Sequence, residues 1–135
     1  ITTFNTSSTS IHVAWGPVPE GHHNGIILGY KVFFKINAST ESINNVIISN
    51  ASQLNIEISG LGKYELYSIW ILAFTVKGNG NVSTPVYCRT DEDEPQDAPA
   101  NITATAESST SIRVRWDPID PSRTRGIHRG YRVCY

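Results

Sequence analysis

His22 and His23 are the only adjacent histidines in the sequence. Neighbouring imidazoles on a loop could share a metal ion. No Cys or Asp stands at ligand spacing beside them, so a solvated loop is expected. Asp91, Glu92, Asp93 and Glu94 form an acidic run that could hold calcium. The run lacks the alternating Asp/Asn spacing that wraps an ion, and a solvated segment is expected instead. Acid/base work by carboxylates would need burial to tune them, and nothing in the pattern suggests that burial. A Gly-rich phosphate loop, a Cys-x-x-Cys pair, a His-Glu-x-x-His helix and a Gly-x-Ser-x-Gly elbow are all missing. The expectation is a non-catalytic chain with no cofactor and no metal.

Asparagine is more informative. Five of the ten Asn begin an Asn-x-Ser/Thr sequon: Asn5, Asn37, Asn50, Asn81 and Asn101. Ser and Thr make up 26 of the 135 residues, so about two matches would arise by chance. Five point to a glycosylated surface that has met the secretory pathway. Cys88 and Cys134 are too few for a disulfide scaffold and are not expected to pair. Cys134 is expected to point outward; Cys88 closes a strand.

The elements that carry these residues repeat once. Residues 7–19 read SSTSIHVAWGPVP and residues 108–120 read SSTSIRVRWDPID, an offset of 101. Gly25-Ile26 then falls on Gly126-Ile127, Gly29-Tyr30 on Gly130-Tyr131, and Val32 on Val133 without a gap. Two copies of a module of ordinary domain size are implied. The expected division is a first module over 1–90, an acidic, Pro-containing linker over 91–97, and the N-terminal part of a second module over 98–135. Ile1 without a Met, and Tyr135 within an apolar pattern, suggest a piece of a longer protein. The second part falls under the ~40 residues that usually fold alone.

Within the module, strand follows strand. Ile11, Val13 and Trp15 alternate with polar or small neighbours, the period of a half-buried strand. Tyr30, Val32, Phe34 and Ile36 alternate with Lys31, Phe33 and Lys35. Val46 to Ile48 and Leu54 to Ile58 are short strands. Leu66 to Val76 is β-branched and aromatic and favours strand. Gly78 to Asn81 reads as a hairpin loop, with Val82 to Arg89 returning. Short strands without a helical stretch argue for an all-β sandwich.

At this point the chain resembles the fibronectin type III module. Trp15 sits where the family keeps its buried strand-B tryptophan. Asn24 to Val32 is similar to its loop and third strand. Leu61, then Tyr67, Ile69, Ile71 and Ala73, resembles its tyrosine corner and sixth strand. Gly78-x-Gly80-x-x-Ser83-x-Pro85-Val86 is similar to its last hairpin, and Ala98-Pro99-x-Asn101-Ile102 to the start of a following module. Lys63 and Glu65 stand where the corner usually carries Pro and Thr. Ile1 aligns with Ile102, so the first strand should lack its start and its edge should fray. The resemblance implies a seven-stranded, immunoglobulin-like antiparallel sandwich followed by a truncated second copy. The structural core should hold Trp15, Tyr30, Val32, Tyr67 and Ile69, with Trp116 in the second copy. The family's integrin-binding Arg-Gly-Asp is missing; that loop reads Lys77-Gly78-Asn79-Gly80-Asn81. The paired cysteines and Trp-Ser-x-Trp-Ser box of cytokine receptors are missing too.

Two surface features stand out. If Tyr67, Ile69, Ile71 and Ala73 face the core, then Trp70, Leu72 and Phe74 face away, and so does Phe33 on the neighbouring strand. Phe33, Trp70, Leu72 and Phe74 would form one apolar outer face flanked by Lys31 and Lys35, a candidate interface. The second feature is charge. The net charge is −1, which gives no general pull toward nucleic acid or an anionic membrane. Residues 1–97 carry 5 basic and 9 acidic groups, while 98–135 carry 6 and 3. Arg123, Arg125 and Arg129 share one loop that could meet a sulfated glycan or an acidic partner. No apolar run approaches the ~18 residues of a membrane span.

Three functions compete. One is a protein-interaction module in the ectodomain of a single-pass cell-surface adhesion molecule or receptor, binding a like copy or another ectodomain. Tandem modules of this kind resemble those of neural adhesion receptors and receptor-type tyrosine phosphatases. The others are a passive spacer and an accessory module of a secreted enzyme.

Overall fold

The computed structural model describes residues 1–19, 21, 25–40 and 42–135. His22 and His23 lie outside the described residues. The chain divides into two compact units, Ile1–Asp91 and Glu92–Tyr135.

In the first unit, β1 (Thr2–Ser7), β2 (Ser10–Ala14) and β5 (Asn55–Ile58) form one antiparallel sheet in the order β1-β2-β5. The other sheet is built from β4 (Asn44–Ile48), β3 (Gly29–Ile36) and β6 (Leu66–Thr75) in that order, and β7 (Gly78–Asn79) and β8 (Val86–Arg89) both pair with the far side of β6. Taken as one interrupted strand, β7 and β8 complete a seven-stranded sandwich.

Side chains two apart point to the same side of a strand, and the apolar ones meet between the sheets. Ile11, Val13 and Ile58 come from the first sheet; Tyr30, Val32, Ile48, Tyr67, Ile69 and Ile71 come from the second. Trp15, just past β2, joins the same cluster and tilts against Tyr30 with ring centroids 5.3 Å apart. Each such burial contributes roughly 1.5–3 kcal/mol.

Two local expectations change. Strand β1 is laddered to β2 from Thr2 opposite Ala14, with an irregularity only between Asn5 and Ser7, so the edge is paired where fraying was expected. The last hairpin turns at Val76-Lys77, two residues earlier than Gly78 to Asn81 suggested. Gly78 takes a φ of 135°, open to glycine, and pairs opposite Thr75. The chain then leaves the ladder until β8. Across this gap the Ser83 amide donates to the Ile71 carbonyl at 2.8 Å, and the Ile71 amide donates to the Ser83 hydroxyl at 3.1 Å.

A polar corner closes the module beneath β6. The Gly62 amide donates to the buried Tyr67 hydroxyl at 2.8 Å. The Thr90 hydroxyl, fully buried, donates to the Gly62 carbonyl at 2.8 Å and accepts from the Glu65 amide at 3.0 Å. Lys63 and Glu65 therefore leave the tyrosine bond intact. Tyr67→Phe removes the acceptor for Gly62 and should cost about 1–2 kcal/mol, read as a shift in denaturant midpoint at constant slope.

In the second unit, β9 (Ala100–Ala106) and β10 (Ile112–Asp117) form an antiparallel hairpin, followed by a short 3-10 turn at Pro121–Arg123. Trp116, expected in a core, is half-buried here and meets Tyr131 edge-on at 5.3 Å. In the first module the core face opposite Trp15 is supplied by β3, β4 and β6, and the described residues of the second unit form no strands in their place.

Candidate interaction surface

The outer face of the β4-β3-β6-β8 sheet follows from register. Phe33 stands opposite Trp70, Lys31 opposite Leu72, and Lys35 opposite Ser68. Phe33 and Trp70 stack with centroids 5.9 Å apart and planes 9° from parallel. The Lys31 ammonium lies 5.5 Å from the centroid of the Phe74 ring, a cation–π contact. Phe33, Trp70 and Phe74 are all half-buried.

Leu72 is a correction to the exposed face. It points away from the core cluster yet is only 6% exposed. Lys31 stands opposite Leu72 and its ammonium lies over Phe74, and an aliphatic stem placed across a neighbour covers apolar surface. Leu72 therefore supports the face from beneath.

Two residues extend the surface that strand reasoning did not single out. Ile47 stands opposite Lys31 on β4 and is 56% exposed. Tyr87 stands opposite Ser68 on β8 and is 58% exposed. Their signal was the same two-residue period: Val46 and Ile48 turn inward around Ile47, and Val86 and Cys88 turn inward around Tyr87. Beside Trp70, the one small side chain of the row, Ser68, opens a groove of about 380 Å³ walled by Lys35, Asn37, Trp70, Val82, Pro85 and Tyr87.

All five sequon asparagines are exposed. Asn5 on β1 donates to the Asp91 carboxylate, and Asn101 on β9 donates to Asp117 at 2.5 Å. The Asn50 carbonyl oxygen accepts from the Ser52 amide at 3.0 Å. Asn81 sits in the gap between β7 and β8. Asn37, the first residue after β3, accepts from the Ser68 hydroxyl at 2.7 Å.

Residues 1–89 match the family model for the fibronectin type III domain. The chain belongs to the fibronectin type III family. Chicken protein sidekick-1 is 38% identical over 130 residues, which is 96% of this chain and 6% of that protein. Cell adhesion molecule Dscam2 of Drosophila melanogaster is 39% identical over 129 residues, 94% of this chain and 6% of that protein. Tyrosine-protein phosphatase Lar of the same fly is 39% identical over 134 residues, 98% of this chain and 6% of that protein. The chain thus spans a small fraction of the length of these relatives. Among solved structures, the FN5 domain of Drosophila Lar is 26% identical with a TM-score of 0.54, covering 68% of this chain and 91% of that one. The chicken CNTN1 FN1–FN3 domains share the fold, with a TM-score of 0.59 at 22% identity, over 90% of this chain and 42% of that one.

In this fibronectin type III chain the acidic residues after Asp91 are engaged within the second unit. Asp97 pairs with Arg123 at 2.8 Å and Glu92 with Arg129 at 3.6 Å. The Asp93 and Gln96 amides donate to the Arg125 and Arg123 carbonyls, both at 2.9 Å. The segment expected as a solvated linker is thus bonded along the loop of Arg123, Arg125 and Arg129. Two of the three guanidiniums there already hold carboxylates. Among the described residues, no cluster of three His, Cys, Asp or Glu could hold a metal ion, and no helix is long and apolar enough to cross a membrane.

Cys88 and Cys134 are both free thiols. Burial pushes the Cys88 thiol above its ordinary pKa; a bond to Thr3 works against this and the Asp91 charge adds to it. A raised pKa leaves less thiolate at a given pH, and the thiolate is the nucleophile. An alkylating reagent at pH 8 should label exposed Cys134 severalfold faster than Cys88, followed by mass spectrometry of timed quenches.

Proposed function

We propose that this chain is a non-catalytic interaction module of the extracellular part of a cell-surface adhesion molecule or receptor. Its binding surface is the outer face of the β4-β3-β6-β8 sheet. The observation that carries this reading is the stacked pair Phe33 and Trp70 on the outer face, with Phe74 under the Lys31 ammonium and exposed Ile47 across from Lys31. Aromatic residues ringed by long cationic side chains have the make-up of an interface core and its rim. Relatives named as a cell adhesion molecule and as a receptor-type phosphatase support the setting. The five exposed sequons support an extracellular address. The basic loop takes no part in this reading, because Asp97 and Glu92 already hold Arg123 and Arg129.

The test is sedimentation equilibrium of the glycosylated chain beside a Phe33→Ser/Ile47→Ser variant. Reversible self-association that disappears in the variant, with its far-UV spectrum unchanged, is the expected result. A monomer in both proteins would overturn the like-copy form of this reading, and failure to bind any candidate ectodomain would leave a spacer.

A further inference from the structure

We infer that the groove over Ser68 is the seat of a glycan carried by Asn37, whose first sugar packs against Trp70. This rests on the extracellular reading above. On β6 the outward row runs Ser68, Trp70, Leu72, Phe74, and Ser68 is its only small member. In register it lies between Lys35 and Tyr87, two long side chains, so the surface dips at that point. Trp70 and Pro85 give the dip apolar walls, and Lys35, Ser68 and Ser83 give it polar groups. That mixture suits a sugar ring, which has a flat C–H face and an equatorial rim of hydroxyl and amide groups. Recognition pockets commonly combine apolar walls with a few placed polar groups in this way.

Asn37 is itself part of the wall. The Ser68 hydroxyl donates to its carbonyl oxygen, which fixes the orientation of the carboxamide. The nitrogen Nδ2 is then the end left to receive a substituent. Glycosylation joins Nδ2 to C1 of an N-acetylglucosamine, with loss of one amide proton and departure of the lipid-diphosphate carrier. The sugar is tethered within reach of the tryptophan, so little further freedom is lost when it settles there. The other four sequons do not share this setting. Asn5 and Asn101 spend the amide nitrogen on a carboxylate, and neither Asn50 nor Asn81 lines the groove. Phe33 stacks on Trp70 from the β3 side, so a sugar on the β8 side leaves Phe33 and Ile47 uncovered.

The experiment uses the full chain secreted from a eukaryotic host with carbon-13 labelled sugar and trimmed to single N-acetylglucosamines. Ser39→Ala abolishes the sequon while keeping Asn37 and its bond to Ser68, so the sugar signals lost in that variant belong to Asn37. Those signals should be displaced upfield by the indole ring current and return to the positions of a free glycan in Trp70→Leu. The inference is overturned if Asn37 carries no sugar while Asn50 does. It is overturned equally if the Asn37 sugar already resonates at free-glycan positions in the parent. The extracellular reading is checked separately, by whether the protein from its natural source carries N-glycans.

Discussion

Trp15→Ala is expected to lower the stability of the first module by about 3–5 kcal/mol. A domain of this size has only about 5–15 kcal/mol in total. Trp15 is 8% exposed and packs on Tyr30, where the end of β2 meets the second sheet. Truncation removes the largest apolar side chain of the cluster and opens a void that side chains from two sheets would have to collapse to fill. Because β2 pairs with both β1 and β5, loosening it loosens the whole three-stranded sheet. Trp15→Phe keeps an aromatic ring against Tyr30 and should lose well under half as much. Guanidinium titration followed by far-UV dichroism would measure both. Equal midpoints for Trp15→Ala and the parent would show that the cluster is not centred where the packing places it.

Gly29→Ala is the second large effect, by the opposite route. Gly29 begins β3, buried, and a Cβ there would fall inside the van der Waals radius of the Ile48 carbonyl oxygen and within 3.1 Å of the Phe74 ring. The obstacle is backbone, which cannot swing away as a side chain can. The β3–β4 ladder must part at Tyr30 opposite Ile48, and the cost should be about 3 kcal/mol. Gly16→Ala is the control, since nothing lies within 4 Å of a Cβ at that position. It should be neutral within about 0.5 kcal/mol. Hydrogen exchange should localise the damage in Gly29→Ala to the β3–β4 amides. Damage spread evenly over both sheets would contradict the steric argument.

The alternation in Tyr30 to Ile36 and Tyr67 to Ala73 was enough to assign inward and outward sides, because a two-residue period has only two phases. The same rule applied to Val46-Ile47-Ile48 and Val86-Tyr87-Cys88 would have added Ile47 and Tyr87 to the outer face. Their strands are short, and three residues make a weak pattern. Leu72 shows where period stops being informative. The pattern gives its direction, but its burial depends on how neighbouring side chains lie across it, which the pattern does not encode. Thr90 was unreadable for a different reason. Its burial depends on a meeting with Gly62 and Glu65, residues far away in the chain. The acidic segment was legible as charge, but the partners of Glu92 and Asp97 lie more than two dozen residues later, on Arg129 and Arg123.

The interruption between β7 and β8 has a consequence for a protein that strings such modules together. Neighbours on a short tether see each other at millimolar effective concentration, and an unbroken sheet edge at that concentration invites strand pairing between modules and, from there, aggregation. Here the outermost strand on β6 is cut into pieces of two and four residues. Between them, Ser83 turns its amide and its hydroxyl oxygen back onto Ile71 of β6, and Pro85 offers no donor at all. The break in the ladder denies a neighbouring module a template long enough to extend.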